Sequence, residues 1–302
     1  MDLSRIDTER SNPATAHIDE ESTLGIVRLM NQQDALVAEA VSRELNNIAR
    51  AVDLIYGRLQ AGGRLVYLGS GTSGRLGVLD AVECPPTFGV QPDRVIGLIA
   101  GGPGAFVRAK EGAEDDREAG GRDLRDISFS QRDVLVGIAA SGRTPYVLGG
   151  MAHARAVGAP VIGLACTANA QLAEYADVMI APLCGPEAIT GSTRLKSGTA
   201  QKMVLNMLST AVMVKLGKVY GNLMVDVQAT NEKLRQRANN ILCQVTGAGP
   251  DEAAQALLAA GGSCKTAIVI ILCGLTRGEA EQVLIQAGGR VAEALRLCGA
   301  RK

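Results

Sequence analysis

Arg64-Leu65-Val66-Tyr67-Leu68-Gly69-Ser70-Gly71-Thr72-Ser73-Gly74 is the stretch on which the fold turns. Five residues without polar alternation, RLVYL, run into a turn of glycines and hydroxyls. This is how a strand covered on both faces feeds a helix in a parallel sheet. GSGTSG also satisfies G-x-G-x-x-G, which raises the possibility of a dinucleotide fold. Two details oppose that reading. The second apolar run, Arg94–Ala100 (RVIGLIA), continues into Gly101-Gly102 and brings no acid for ribose hydroxyls. The turn is loaded with hydroxyls at Ser70, Thr72 and Ser73, which suit direct donation to one phosphate group. A tight strand-to-helix turn without a ligand is the plain alternative.

Outward from this stretch, three more apolar runs follow: Asp133–Ala140, Pro160–Thr167 and Asp177–Leu183. With RLVYL and RVIGLIA they make five. The first three gaps have room for a helix and the fourth is short. This alternation predicts an α/β fold with a doubly wound, five-stranded parallel sheet, whose ligands sit at the carboxyl ends of the strands. Upstream, Val37, Val41, Leu45, Ile48, Val52, Ile55 and Leu59 form one face of a helix that Ala61-Gly62-Gly63 stops. Downstream lie a Gly/Ser/Thr/Lys loop, Gly185–Gly198, and a helix through Met203, Val204, Met207, Leu208, Ala211 and Val212 that is too apolar to be exposed. From about Pro250 the pattern predicts three short helices, the first capped by Asp251 and the next opened by a Thr276-x-x-Glu279 capping box.

Composition narrows the function. The 302 residues carry 31 Lys plus Arg against 31 Asp plus Glu, so the chain lacks the basic excess with which a protein holds nucleic acid. No Trp, 3 Phe and 5 Tyr leave few platforms for stacking bases. The longest apolar stretch, Ala267–Cys273, falls far short of a membrane span, and MDLSRIDTERSNP does not read as a signal peptide. Seven scattered cysteines without a C-x-x-C pair read as reduced thiols, which predicts a cytoplasmic protein with neither nucleic-acid nor membrane partners. His17 and His153 lack ligand spacing.

A second hydroxyl-bearing loop, Ala140-Ser141-Gly142-Arg143-Thr144-Pro145, follows the third run. Alone it is an ordinary turn into a helix. Paired with GSGTSG, it resembles the phosphate loops of the sugar isomerase (SIS) domain family, which binds phosphosugars. The stretch Gly185–Lys202 (GPEAITGSTRLKSGTAQK) resembles a signature shared by glucokinase regulatory proteins and bacterial N-acetylmuramic acid 6-phosphate etherases. Leu79–Gly89 (LDAVECPPTFG), Glu111–Glu118 (EGAEDDRE) and Asn222–Lys233 (NLMVDVQATNEK) resemble the etherase branch, and the likeness runs from Thr8–Asn12 to the C-terminal helices.

This resemblance implies an organisation of residues 1–45 as N-terminal arm and helix, 46–225 as SIS phosphosugar-binding domain and 226–302 as C-terminal helical region. It implies a lyase that cleaves the D-lactyl ether of its phosphosugar, with no metal or redox cofactor. The ether oxygen is β to the open-chain aldehyde, so a base at C2 and an acid at the leaving oxygen suffice. The family's pair falls on Glu83 as proton donor and Glu114 as base. Its substrate contacts fall on Ser70, Gly71, Thr72, Ser73, Ser141, Gly142, Thr144, Glu187, Ser192, Arg194 and Lys196. Arg194 and Lys196 suit either the phosphate or the lactyl carboxylate, and neutralising Glu187 suits them equally.

The two acids also have readings of their own. Pro85-Pro86 predicts that the helix from the phosphate loop ends beside Glu83, where the dipole favours the protonated form. Glu114 lies among Glu111, Asp115, Asp116 and Glu118, whose charge raises proton affinity, although a solvated helix face is the plain reading of such a run. Two other functions fit the same loops: a phosphosugar aldose–ketose isomerase, and a non-enzymatic phosphosugar sensor. One set of loops per chain predicts a homodimer with shared sites, for which the Met203–Val212 helix and the helix ending at Leu59 are candidate interface elements, covering the sheet being the alternative for both.

Overall fold

The computed structural model describes residues 7–226 and 232–299. They form two compact units, one of residues up to Val82 with Asp93–Ser209, the other of Glu83–Pro92 with residues from Thr210 onward. Of the etherase-like segment Asn222–Lys233, residues 227–231 lie outside the described range.

The first unit is built on five parallel strands, β1 (Leu65–Gly69), β2 (Val95–Ile99), β3 (Val134–Ile138), β4 (Val161–Leu164) and β5 (Val178–Ile180), in the order β2-β1-β3-β4-β5. Each falls within a residue or two of its apolar run. β1 and β3 are buried at every position, as a sheet covered on both faces requires. Helices fill the first three gaps: α4 (Gly71–Phe88), α5 (Arg117–Asp126) and α6 (Pro145–Ala156). The fourth gap holds only a 3-10 turn, Gln171–Glu174. On one face Val66, Leu68 and Leu135 pack with Leu124 of α5 and Tyr146, Val147 and Met151 of α6. Gly137 leaves room there for Met151, and on the other face Gly97 lets the backbone of α4 approach at Val78.

Upstream, α1 spans Thr23–Asp34, and α2 (Val37–Ser42) and α3 (Leu45–Gln60) replace the single helix expected over Val37–Leu59. The Ser42 hydroxyl donates to the Glu39 carbonyl at 2.7 Å, a local bond that competes with the helical ladder just before the break at Arg43-Glu44. Ile48, Val52, Ile55 and Leu59 are buried as predicted, whereas Leu45 stays exposed. Gly62, at φ +88°, ends α3, with its own N–H on the Leu59 carbonyl and that of Gly63 on Arg58. On α7 (Lys196–Lys215), Val204, Leu205, Leu208, Val212 and Met213 are already buried within one chain. Much of the apolar face of both helices is thus buried within one chain, while Met203, Met207 and Ala211 on α7 are half-buried.

Asp133, 4% exposed, fastens the starts of β1 and β3. It accepts from the Arg64 backbone N–H at 3.0 Å, from Nε at 3.1 Å and Nη2 at 2.9 Å of its guanidinium, and from the Ser130 N–H at 2.9 Å. Burial raises the Asp133 carboxyl, but the Arg64 hydrogen bonds and charge and the Ser130 N–H outweigh it and hold it below the usual range. A depressed folded-state value means stability that is present above the unfolded value and lost as pH falls. Asp133→Ala is therefore expected to lose roughly 3 kcal/mol at pH 7, because it leaves the Arg64 charge unpaired. Urea unfolding at pH 7 and below pH 4 checks this: the gap between wild type and variant narrows in acid. An unchanged gap would remove the ion pair as its cause.

The second unit carries a short antiparallel hairpin, β6 (Val219–Tyr220) with β7 (Leu223–Met224), and helices α8 (Glu232–Thr246), α9 (Pro250–Ala259), α10 (Cys264–Cys273), α11 (Arg277–Gln286) and α12 (Val291–Leu297). Among the described residues four helices follow Gly249 rather than three, since Gly288 and Gly289, both at positive φ, split the last stretch into α11 and α12. Asp251 does not cap α9; Gly249 holds that position, Pro250 is the first helical residue and Asp251 sits in the first turn. The Thr276/Glu279 capping box forms at α11 as predicted. Among the described residues no single helix is long and apolar enough to cross a membrane; α9 and α10 reach that composition only as a pair bent by 114°.

Candidate active site

The strand order reverses at β1: its neighbours are β2 on one side and β3 on the other. In open α/β sheets ligands bind at this switch point, beyond the carboxyl ends of the strands. The register pairs Gly69 with Ile138, so both hydroxyl-bearing loops leave the sheet side by side.

In the first loop, Gly69 and Gly74 cross so closely that a Cβ on either would strike the other's backbone. Gly71, at φ +51°, starts α4, and the Gly74 N–H closes its first bond on the Ser70 carbonyl at 3.0 Å. Helix geometry leaves the N–H groups just before Gly74 without helical acceptors, the arrangement that receives a phosphate. Thr72 is half-buried, Gly71 exposed and Ser73 buried. The Ser73 hydroxyl donates to Oε1 of Gln201 on α7 at 2.9 Å, while Nε2 of that fully buried glutamine has no partner among the described residues.

In the second loop Gly142, at φ +68°, lies against Ala170, leaving no room for a side chain. Ser141 and Thr144 are half-exposed. Thr144 takes the N-cap position of α6 without a side-chain capping bond, so its hydroxyl is not used by the helix.

Glu114 is gripped at both ends. Its backbone carbonyl accepts the Tyr146 N–H from the first turn of α6 at 3.0 Å, and its carboxylate accepts the Ser70 hydroxyl at 2.9 Å. It stands on an exposed turn before α5, not on a helix face. The acidic run around it is only partly a cluster of free charge. Asp116 caps α5 and pairs with Arg122, whose hydrogen bond holds the Asp116 carboxyl below its ordinary value. A cavity of about 230 Å³ opens at this point, lined by Ser70, Gly71, Arg75, Lys110, Glu111 and Glu114 among others. Arg75 and Lys110 are cations that sequence reasoning missed. Arg75 follows the phosphate loop directly and was legible as part of it. It donates to the carbonyls of Ala105 and Phe106, both at 2.9 Å, and so ties the cavity wall to α4.

Glu83 is exposed, as a proton donor needs to be, but it does not stand at a helix end. Pro85 and Pro86 lie inside α4, which runs on to Phe88. Each proline withholds one N–H, yet Gly89 N–H still reaches the Pro85 carbonyl at 2.9 Å, and Ala81, Cys84 and Phe88 bury one face across the interruption. Glu83 therefore does not face the end of a helix dipole, contrary to expectation. Glu83 belongs to the second unit and is not among the residues lining the Glu114 cavity.

The Gly185–Gly198 loop divides. Glu187 is fully buried and its two carboxylate oxygens accept the Lys196 and Ser197 N–H groups at 2.8 and 2.9 Å, capping α7. Lys196 is buried too, its Nζ donating to the Cys184 carbonyl at 2.9 Å and to Gln33 at 3.0 Å. Asn12 and Thr15 bind the carbonyls of Pro186 and Ala188. Glu187 and Lys196 thus hold the loop and the N-terminal arm together. Arg194 is exposed and Ser192 half-exposed.

Residues 47–155 match the model of the glucokinase regulatory protein N-terminal SIS domain, and residues 122–211 that of the SIS domain. N-acetylmuramic acid 6-phosphate etherase 1 of Vibrio cholerae serotype O1 is 55% identical over 98% of this chain and 98% of its own. The chain belongs to the N-acetylmuramic acid 6-phosphate etherase family. The etherase of Mycolicibacterium smegmatis is 56% identical over 98% of this chain and 99% of its own, so family identity spans both units. Among solved structures, a phosphoheptose isomerase from Francisella tularensis covers 64% of this chain and all of its own, at 15% identity and a TM-score of 0.48.

Proposed function

We infer that this chain is a carbon–oxygen lyase that cleaves the D-lactyl ether of N-acetylmuramic acid 6-phosphate in the recycling of cell-wall sugar. Its products are N-acetylglucosamine 6-phosphate and D-lactate. Glu114 removes the C2 proton of the open-chain aldehyde. The electron pair moves into the C2–C3 bond, and the C3–oxygen bond breaks as Glu83 protonates departing lactate. Water then adds at C3 of the unsaturated aldehyde. The observation that carries this reading is Glu114 itself, an exposed carboxylate held at the switch point by Ser70 and by the first turn of α6. Glu83 takes its role from the family alone. D-Lactate release with one solvent deuterium incorporated at C2 tests the reaction; ketose formation without lactate would replace it with isomerisation.

The 6-phosphate is received by the N–H groups at the start of α4 and by the hydroxyls of Ser141 and Thr144, the Ser73 hydroxyl being spent on Gln201. These bonds persist from ground state to transition state, so Ser141→Ala is expected to raise KM about tenfold with little change in kcat. Steady-state kinetics measure the split. Equal activity on the unphosphorylated sugar would refute the anchoring.

The working unit is a homodimer that completes each site from two chains. This rests on the single pair of loops in each chain and on α1. Among the described residues α1 buries no side chain, and Leu24 and Val27 on it are 63% and 53% exposed.

A further inference from the structure

The cavity beside Glu114 is lined by a second acid, Glu111, and by two cations, Arg75 and Lys110. Arg75 is committed to the carbonyls of Ala105 and Phe106. The Lys110 side chain is exposed and makes no hydrogen bond or ion pair among the described residues, even with the two acids that share its cavity. Arg143 and Arg194, the other cations of the loops, do not line this cavity.

Lys110 is nonetheless held in place. Gly101, just past the end of β2, adopts φ +87°, and a Cβ there would stand 3.0 Å from Cδ and 3.1 Å from Cβ of Lys110. The lysine stem therefore lies across bare backbone that only a glycine leaves open. The Lys110 carbonyl accepts the Ala113 N–H at 3.4 Å, and the Gly112 carbonyl accepts the Asp115 N–H at 3.2 Å. One run of turns thus leads from the lysine to Glu114.

The substrate of this reaction brings two anions. Glu114 acts at C2, and the lactyl group hangs on C3, the next carbon, whereas the phosphate is at the far end of the sugar, on C6. The phosphate contacts Ser141 and Thr144 leave the sheet from β3. The cavity opens on the opposite side of β1, against Ile99 and Ala100 of β2 and its loop. A carboxylate that enters beside Glu111 and Glu114 meets two like charges, and without a cation its desolvation would go uncompensated.

We propose that Lys110 binds the carboxylate of the lactyl group, and so selects a muramyl phosphosugar over its lactyl-free product. This rests on the etherase reading. An ammonium is a compact charge with three donors on a flexible stem. It can stay on the carboxylate while the bond between C3 and the ether oxygen lengthens, which keeps the leaving group beside the base that starts its departure.

The test compares substrate with product. Lys110→Met keeps the stem that packs on Gly101 and removes the charge, and Lys110→Arg keeps a charge. For Lys110→Met the KM for N-acetylmuramic acid 6-phosphate is expected to rise about tenfold with kcat little changed, the effect of losing about one charge-assisted bond. Lys110→Arg recovers most of that rise. The inhibition constant of N-acetylglucosamine 6-phosphate, which has no carboxylate, stays within about twofold of wild type in both. That constant also shows that the variants are folded. A parallel rise in both constants would move Lys110 to the phosphate. A fall in kcat without a rise in KM would move it to the aldehyde oxygen, which gains charge as the C2 proton leaves. Either result overturns the proposal, as does no change at all. Failure of the unaltered enzyme to release D-lactate would overturn the etherase reading instead, and the proposal with it.

Discussion

Glu114→Gln is expected to lose both D-lactate release and exchange of the C2 proton with solvent, each by about three orders of magnitude. The amide keeps the size of the side chain, and its oxygen still accepts the Ser70 hydroxyl, so the 2.9 Å bond and the grip of Tyr146 on the backbone survive. Only the ability to take a proton is gone. The inhibition constant of N-acetylglucosamine 6-phosphate should accordingly be preserved. Proton exchange followed by NMR in deuterium oxide is the decisive measurement: exchange at near wild-type rate would remove Glu114 from the role of base.

Glu83→Gln is expected to separate the two steps. Proton removal at C2 does not need the acid, so exchange continues, while ether cleavage falls by several orders of magnitude, because lactate would leave as an unprotonated alkoxide. Equal loss of both would show that the two carboxylates do not divide the work. The same variant tests the homodimer. Glu83→Gln and Glu114→Gln chains, each inactive alone, regain activity on mixing if one chain supplies the acid and its partner the base. With both groups supplied by one chain, the mixture stays as inactive as its parts, and an active monomer in sedimentation would end the proposal.

The strands were readable because each is an apolar run bounded by turn residues, and the switch point followed once five runs and three helix-length gaps were counted. The phosphate loops were readable for the same local reason, hydroxyls and glycines placed where a strand must turn into a helix. Glu114 was visible only as one acid in a run. What distinguishes it from Glu111, Asp115 and Asp116 is a hydroxyl 44 positions away and an N–H 32 positions away, neither of which any local pattern announces.

Chain-local chemistry, then, decided the parallel sheet, its two hydroxyl-bearing loops, the capping box at α11 and the glycine stop after Leu59. Hydrophobic periodicity and turn preference act over a few residues and are written in order along the chain. Packing decided the rest. It carried α4 through Pro85-Pro86, since burial of Ala81, Cys84 and Phe88 offsets the missing N–H groups. It committed Glu187 and Lys196 to the N-terminal arm and to the start of α7, although their loop resembles a ligand loop. It set Ser73 against Gln201, 128 residues on. Whether a charged or polar side chain meets protein or ligand depends on which distant segment the sheet order brings beside it, and that order exists only in three dimensions.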